Sequence, residues 1–153
     1  MVCYLSNLEI DEIEDNVTQQ FKLTLPVFPK GFHLITDEVL KTIGHHLPSM
    51  GVLHIFILHT SAALAVNENA DATVRHDMDK GFDVLAPENQ SFYQHTVEGP
   101  DDMPAHIKSI LAGSSVTIPI TEGKLNLGTW QGIYLCEFRE HAPARKLVMT
   151  ILS

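Results

Sequence analysis

Residues 116–152 run VTIPITEGKLNLGTWQGIYLCEFREHAPARKLVMTIL, and this stretch decides the fold. Val116, Ile118 and Ile120 alternate with Thr117, Pro119 and Thr121, the period of two expected of a half-buried strand. Glu122-Gly123 reads as a hairpin turn. Residues 133–140 and 145–152 read as two closing strands joined by a turn over 141–144. Strands dominate this third of the chain and do not alternate strictly with helices. That favours an α+β protein with a largely antiparallel sheet or sandwich.

Upstream, residues 17–25 alternate as well: Val17, Gln19, Phe21, Leu23 and Leu25 share one side, and Thr18, Gln20, Lys22 and Thr24 the other. Pro26, Pro29 and Gly31 mark a turn, and 32–35 a short strand. Thr36 is the expected N-cap of a helix with Asp37 and Glu38 in its first turn. Its apolar face is Val39, Leu40, Ile43 and Leu47, and it ends near Pro48. From Val52 to Leu58 both faces are apolar, so this strand is expected to be central. Residues 62–66 suit another strand. Asp71 caps a second helix with the stripe Val74, Met78, Phe82 and Leu85. Residues 86–103 form the longest irregular stretch, the kind of loop that is often functional. Asp102 or Met103 is the expected cap of a third helix, with Pro104 in its first turn and Gly113 at its end. The expectation is one domain over residues 1–153: a largely antiparallel, sandwich-like α+β core with three helices.

Composition excludes several classes. The chain has 153 residues, 44% of them hydrophobic, and 10 basic against 19 acidic residues, a net charge of −9. That balance opposes broad attraction to nucleic-acid phosphate. No apolar run approaches the ~18–20 residues that span a bilayer, and residues 1–13 lack the pattern of a secretory signal. The two cysteines, Cys3 and Cys136, build neither a disulfide framework nor a four-thiolate zinc site. A reducing cytoplasm is the expected compartment. Cys136, between Tyr134 and Phe138, reads as a buried apolar residue.

The nine histidines need sorting. His45 and His46 point about 100° apart on a helix and suit solvent. His33, His76 and His141 read as surface or turn residues, and His54 as a hydrogen-bonded strand imidazole. His59 at a strand exit, His95 in the long loop and His106 at a helix start are the candidates for a metal. Spacing alone favours separate polar residues near loops over a metal centre, since no HExxH, HxH or CxxC motif joins them. Glu68 precedes a helix that Asp71 caps; Asp101 and Asp102 suit capping too. Glu137 shares a strand face with Ile133, Leu135 and Arg139. It reads either as a pocket carboxylate or as one paired with Arg139. Arg75 and Lys108 lie near helix starts, where anions are favoured. Gly128-Thr129-Trp130-Gln131-Gly132 brackets the only Trp, which suits either a plug or a face for a heteroaromatic ring.

Taken in order, these motifs resemble the YjbQ-like family of small proteins, sometimes described as secondary thiamine-phosphate synthases. The likeness rests on His59-Thr60-Ser61, Asn67-Glu68-Asn69, Val74-Arg75 with Asp77, and His95 followed by Glu98-Gly99. It continues through residues 101–108 (DDMPAHIK) and 127–138 (LGTWQGIYLCEF). Pro100 and the turn at 139–144 depart from the pattern, which bears on the arginines as anion ligands. The resemblance implies a sandwich-like α+β fold, a homotrimer and a metal site on His59, His95 and His106. Three imidazoles suit zinc with one open position, and magnesium would accompany a diphosphate. The activity implied joins a hydroxymethylpyrimidine diphosphate to a thiazole phosphate and releases pyrophosphate. Glu68, Asp102 and Glu137 are then the candidate catalytic groups. Arg75, Lys108, Trp130, Gln131 and Arg139 would hold the small phosphorylated ligand. The alternatives are a non-enzymatic metal- or phosphate-binding trimer and a metal-dependent phosphoester hydrolase.

Overall fold

The computed structural model describes residues 18–153; the expected start of the first strand at Val17 lies outside them. The chain runs β1 (Gln19–Thr24), β2 (Gly31–Leu34), α1 (Thr36–Ile43), a 3₁₀ turn (Gly44–His46), β3 (Met50–Ile57) and β4 (Ala62–Glu68). It continues with α2 (Ala72–Leu85), α3 (Asp102–Ala112), β5 (Ser115–Thr121), β6 (Lys124–Leu125), β7 (Gln131–Glu137) and β8 (Lys146–Leu152). The strands form two sheets, β1-β8-β3-β5-β6 and β2-β7-β4, and their pairings are antiparallel. This is the α+β fold that the strand-rich C-terminal third predicts.

One hydrophobic core fills the space between the sheets. Leu53, Ile55 and Ile57 of β3, Ile118 and Ile120 of β5 and Leu147, Met149 and Ile151 of β8 face Leu64 of β4 and Ile133 and Leu135 of β7. Val39 and Ile43 of α1 close it. A second core lies on the other face of the small sheet. There Phe32, Ala63, Tyr134, Cys136 and Phe138 pack with Ala105 of α3 and with Met78 and Phe82 of α2. The parity of β7 explains the division: Ile133 and Leu135 point one way, Tyr134 and Cys136 the other. At the hairpin between β5 and β6, Glu122 and Gly123 both take positive φ (51° and 72°), the two-residue turn that suits sheet twist.

Several details depart from expectation. Thr36 is not a cap; Ile35 is the N-cap, and the Thr36 hydroxyl instead accepts the Ile133 N–H at 2.9 Å. Asp101, not Asp102 or Met103, precedes α3, and it makes no side-chain cap bond. Asp71 does cap α2, accepting the Thr73 N–H at 2.8 Å. Leu40 and Leu85 are exposed, because each helix turns only part of its stripe to the core. β3 is central in its sheet, but its second face is open, with Met50, Phe56 and Leu58 exposed. β7 stops at Glu137 rather than 140, and the chain from β7 to β8 crosses from one sheet to the other.

Candidate functional site

The β4–β7 register pairs Ala62 with Glu137, so the strand exit at His59–Ser61 and the end of β7 meet at one end of the small sheet. α3 begins beside them. Asp102 and His106 are four residues apart on α3 and therefore share one face. The loop 95–98 folds over that face. His95, Glu98, Asp102 and His106 each offer a ligand atom, and these atoms all lie within 4.8 Å of one another. Asp102 is 2% exposed. Its Oδ2 lies 2.7 Å from His95 Nε2 and 3.3 Å from His106 Nε2, and Glu98 Oε2 lies 3.3 Å from His95 Nε2.

The hydrogen bonds fix the orientation of His106. Its Nδ1 lies 3.1 Å from the Thr60 carbonyl, which only accepts, so Nδ1 carries the proton. A neutral His106 then turns the Nε2 lone pair toward the Asp102 carboxylate. Two acceptors facing each other at 3.3 Å need a cation between them, either a proton or a metal. An imidazole whose second nitrogen donates to a carbonyl is also the usual arrangement of a metal-ligating histidine. Two imidazoles with carboxylates suit zinc, and the fit is to His95, Glu98, Asp102 and His106.

His59 stands apart from that set. Its Nε2 accepts the Lys146 N–H at 2.9 Å, and its Nδ1 lies 3.3 Å from Arg145 Nη1. Burial, reinforced by the Arg145 charge, holds its pKa below the usual histidine value. His59 and His106 do line one cleft of about 630 Å³, walled by Phe56, Leu58 and Ile110.

Glu137 is 1% exposed and takes a bidentate pair from Arg145, with Nε and Nη2 both at 2.6 Å. Arg145 Nη2 also donates to Ser61 Oγ at 3.1 Å. Pairing with Arg139 is thus replaced by pairing with Arg145; only the Arg139 backbone N–H reaches Glu137, at 3.0 Å. The Arg139 guanidinium instead holds Asp101 at 2.8 Å, the Glu98 carbonyl at 2.8 Å, and Asp102 Oδ1. It fixes the loop and leaves Asp102 Oδ2 facing the histidines. Asp101 sits below its ordinary carboxylate range. Burial opposes this, but the Glu140 N–H and Arg139 outweigh it.

The remaining sequence candidates lie elsewhere. Lys108 is 3% exposed and bound to Asp83 at 2.6 Å. Arg75 lines a small cavity with Tyr134 and Asn67. Glu68, Trp130 and Gln131 share a second cleft. Because β4 pairs Glu68 with Gln131 and Ala62 with Glu137, that cleft is at the opposite end of the small sheet, six residues or about 20 Å away. Cys136 is buried, and burial pushes its thiol up to about 12. Arg145, Glu98 and Ser61 were not singled out as site residues. A signal existed for two of them: Glu98 is three residues from His95, and the acid in β7 demands a cation that Arg145 supplies across the turn.

The fold and this cluster define a class: a small antiparallel α+β sandwich with a histidine–carboxylate site at the exit of a central strand. The chain belongs to the UPF0047, YjbQ-like family, whose model matches residues 21–153. It is 49% identical over 133 residues to UPF0047 protein YjbQ of Salmonella typhimurium, covering 86% of this chain and 96% of the relative. A UPF0047 protein of Synechocystis is 40% identical over 122 residues, covering 80% of this chain and 83% of the relative. Among solved structures, an uncharacterized conserved YjbQ/UPF0047 protein from Clostridium acetobutylicum superposes with a TM-score of 0.74 at 39% identity, over 87% of this chain and 98% of that one.

Proposed function

We propose that the chain is a metal-dependent transferase for a small phosphorylated substrate. The reaction it fits is the joining of a hydroxymethylpyrimidine diphosphate to a thiazole phosphate with release of pyrophosphate. The observation that carries the metal is the orientation of His106, held by Thr60 so that Nε2 faces the Asp102 carboxylate. His95, His106 and Asp102 would hold the ion, with Glu98 as a further ligand; His59 would line the substrate cleft instead. When bound, zinc supplies a Lewis acid for a phosphate oxygen, and magnesium would accompany the diphosphate.

The chain's own residues favour that division of labour. Lys108 and Arg145 are held in ion pairs, and Arg139 is bound to Asp101 and Asp102. None of the three is free to neutralise a leaving pyrophosphate, so that charge falls to the bound ion. Arg139 positions Asp102. Phe56, Leu58 and Ile110 wall the cleft beside His106 and keep water from a bound ring. The open outer face of β3 supports assembly as a homotrimer, and among the described residues no helix is long and apolar enough to cross a membrane. We place the protein in the reducing cytoplasm.

The test is turnover by zinc-loaded protein, with magnesium, on the two thiamine precursors. Wild type is expected to bind zinc and release pyrophosphate, and His106→Ala to lose both. Metal bound without turnover on these or other phosphoesters supports the non-enzymatic binder. Failure to bind any divalent metal overturns the proposal.

A further inference from the structure

Trp130 is the only Trp of the chain, and it is 66% exposed. A large aromatic ring left in water is ordinarily loosely held, but this one stands on a rigid mount. Gly128 N–H donates to Gln131 Oε1 at 2.8 Å, and Gln131 N–H returns to the Gly128 carbonyl at 2.9 Å. Asn69, just past the end of β4, clamps the same turn, its N–H on the Trp130 carbonyl at 2.8 Å and its amide on the Gln131 carbonyl at 2.9 Å. Gly132 lies so close beneath that an added Cβ would meet Leu34 Cδ2 at 2.5 Å. The indole is therefore presented outward by backbone that has little freedom to retract it.

The cleft beside Trp130 carries an acid. Trp130 and Glu68 line one open cleft of about 660 Å³ with Val66, Asn67, Ala70 and Gln131. Glu68 is half-buried and makes no ion pair among the described residues. Its Oε1 accepts only a long bond of 3.3 Å from the Asp71 N–H. The nearby cation, Arg75, does not answer it. Nη1 of that residue is buried, the side chain lines a smaller cavity with Tyr134 and Met78, and its charge lies within reach of Asp71. A carboxylate without an ion-pair partner, in the same cleft as a fixed indole, is complementary to a positive organic group. The ring quadrupole attracts a cation, Trp most strongly of the aromatic residues, and the acid completes the charge match.

We propose that the Trp130–Glu68 cleft binds a small organic cation, a quaternary or protonated ammonium, separately from the histidine–carboxylate cluster at the other end of the sheet. The cation lies over the indole with Glu68 beside it. The apolar edge of the cleft at Val66 and Ala70 covers its carbon substituents. The site does not rest on the metal reading.

The lone Trp makes the test direct, because fluorescence excited at the red edge, where the three tyrosines do not absorb, reports Trp130 alone. Choline is titrated against the protein, and in parallel its neutral isostere with a tert-butyl group in place of trimethylammonium. A saturable change with choline, none with the isostere, and the same curve after divalent metals are chelated is the expected result. Glu68→Gln keeps the size of the side chain and its acceptor for Asp71, and is expected to weaken choline by about tenfold. Equal responses to choline and isostere overturn the proposal, because the cleft would then be merely apolar. So does a choline curve unchanged in Glu68→Gln, or no saturable response at all. Shielding of Trp130 from acrylamide in the free protein also overturns it, since a second copy of the chain would then occupy the cleft.

Discussion

At the residue scale, the buried carboxylate of Glu137 sets the terms. A charge that far from water is stable only when paired and hydrogen-bonded, and Arg145 supplies both through two 2.6 Å bonds. Removing one partner leaves the other charge stranded. Arg145→Met is expected to cost about 3–5 kcal/mol, read as a lower urea midpoint at neutral pH. Arg145→Met combined with Glu137→Met is expected to recover most of that loss, since apolar replacement of a whole buried pair is often neutral. If the double variant is no more stable than the single one, the pair is not the source. Glu137→Gln therefore tests the fold before it tests a ligand. The pairing was only half legible. Strand parity put Glu137 on a face with Ile133 and Leu135, and that face is buried. The partner was not legible, because β7 ends two residues before Arg139 and the turn carries that side chain toward Asp101 and Asp102.

At the element scale, α2, α3 and the loop between β1 and β2 are pinned by charge as well as by apolar contact. Asp83 of α2 receives Lys108 of α3 at 2.6 Å and Lys30 at 2.7 Å. Burial alone would raise the Asp83 pKa, but the bonds and charges of the two lysines outweigh it and hold the carboxyl below its ordinary 3.8. The folded value is the lower one, so its stabilisation is complete above 3.8 and is lost as pH falls through the folded value. Asp83→Asn is expected to destabilise by about 1–3 kcal/mol at neutral pH and to flatten the acid limb of the stability curve, measured by thermal melts from neutral pH into acid. Two glycines make a matched pair on other elements. At Gly51 an added Cβ would meet the Leu152 carbonyl oxygen at 2.4 Å, whereas at Gly44 nothing lies within 4 Å. Gly51→Ala is expected to destabilise by about 1–3 kcal/mol. Gly44→Ala, whose φ of −56° suits alanine, should stabilise by about 0.4–1 kcal/mol. Equilibrium unfolding of both variants checks the contrast.

At the scale of the whole molecule, alternation carried much of the fold: β1 and β5 turn inward the side that the pattern of two assigns them. A sandwich was expected, but which strand joins which sheet was not legible, because no local feature of residues 138–145 says that the chain leaves one sheet for the other. Register within the small sheet separates the candidate residues Glu68 and Glu137. The four-residue step from Asp102 to His106 is visible in the sequence. The distance between Glu68 and Glu137 is not, since it depends on which strand pairs with which and in what register. The outer face of the large sheet makes a further demand. Met50, Phe56, Leu58 and Leu152 are exposed on and beside β3 and β8, an apolar surface of the kind that marks association. Light scattering is expected to give three times the 17.0 kDa chain mass; a stable monomer at micromolar concentration would refute the trimer.

The large sheet also has a consequence in time. β8 lies between β1 and β3, and among the described residues it is the last strand in chain order and β1 the first. Gln19 must find Ile151. While the nascent chain is still being elongated, β1 has no neighbour to zip to, and β3 carries an unpaired edge that invites other strands. Until residue 146 and those after it have emerged the larger sheet therefore stays open, and a translation that stops short of residue 146 leaves a chain for chaperones or proteases.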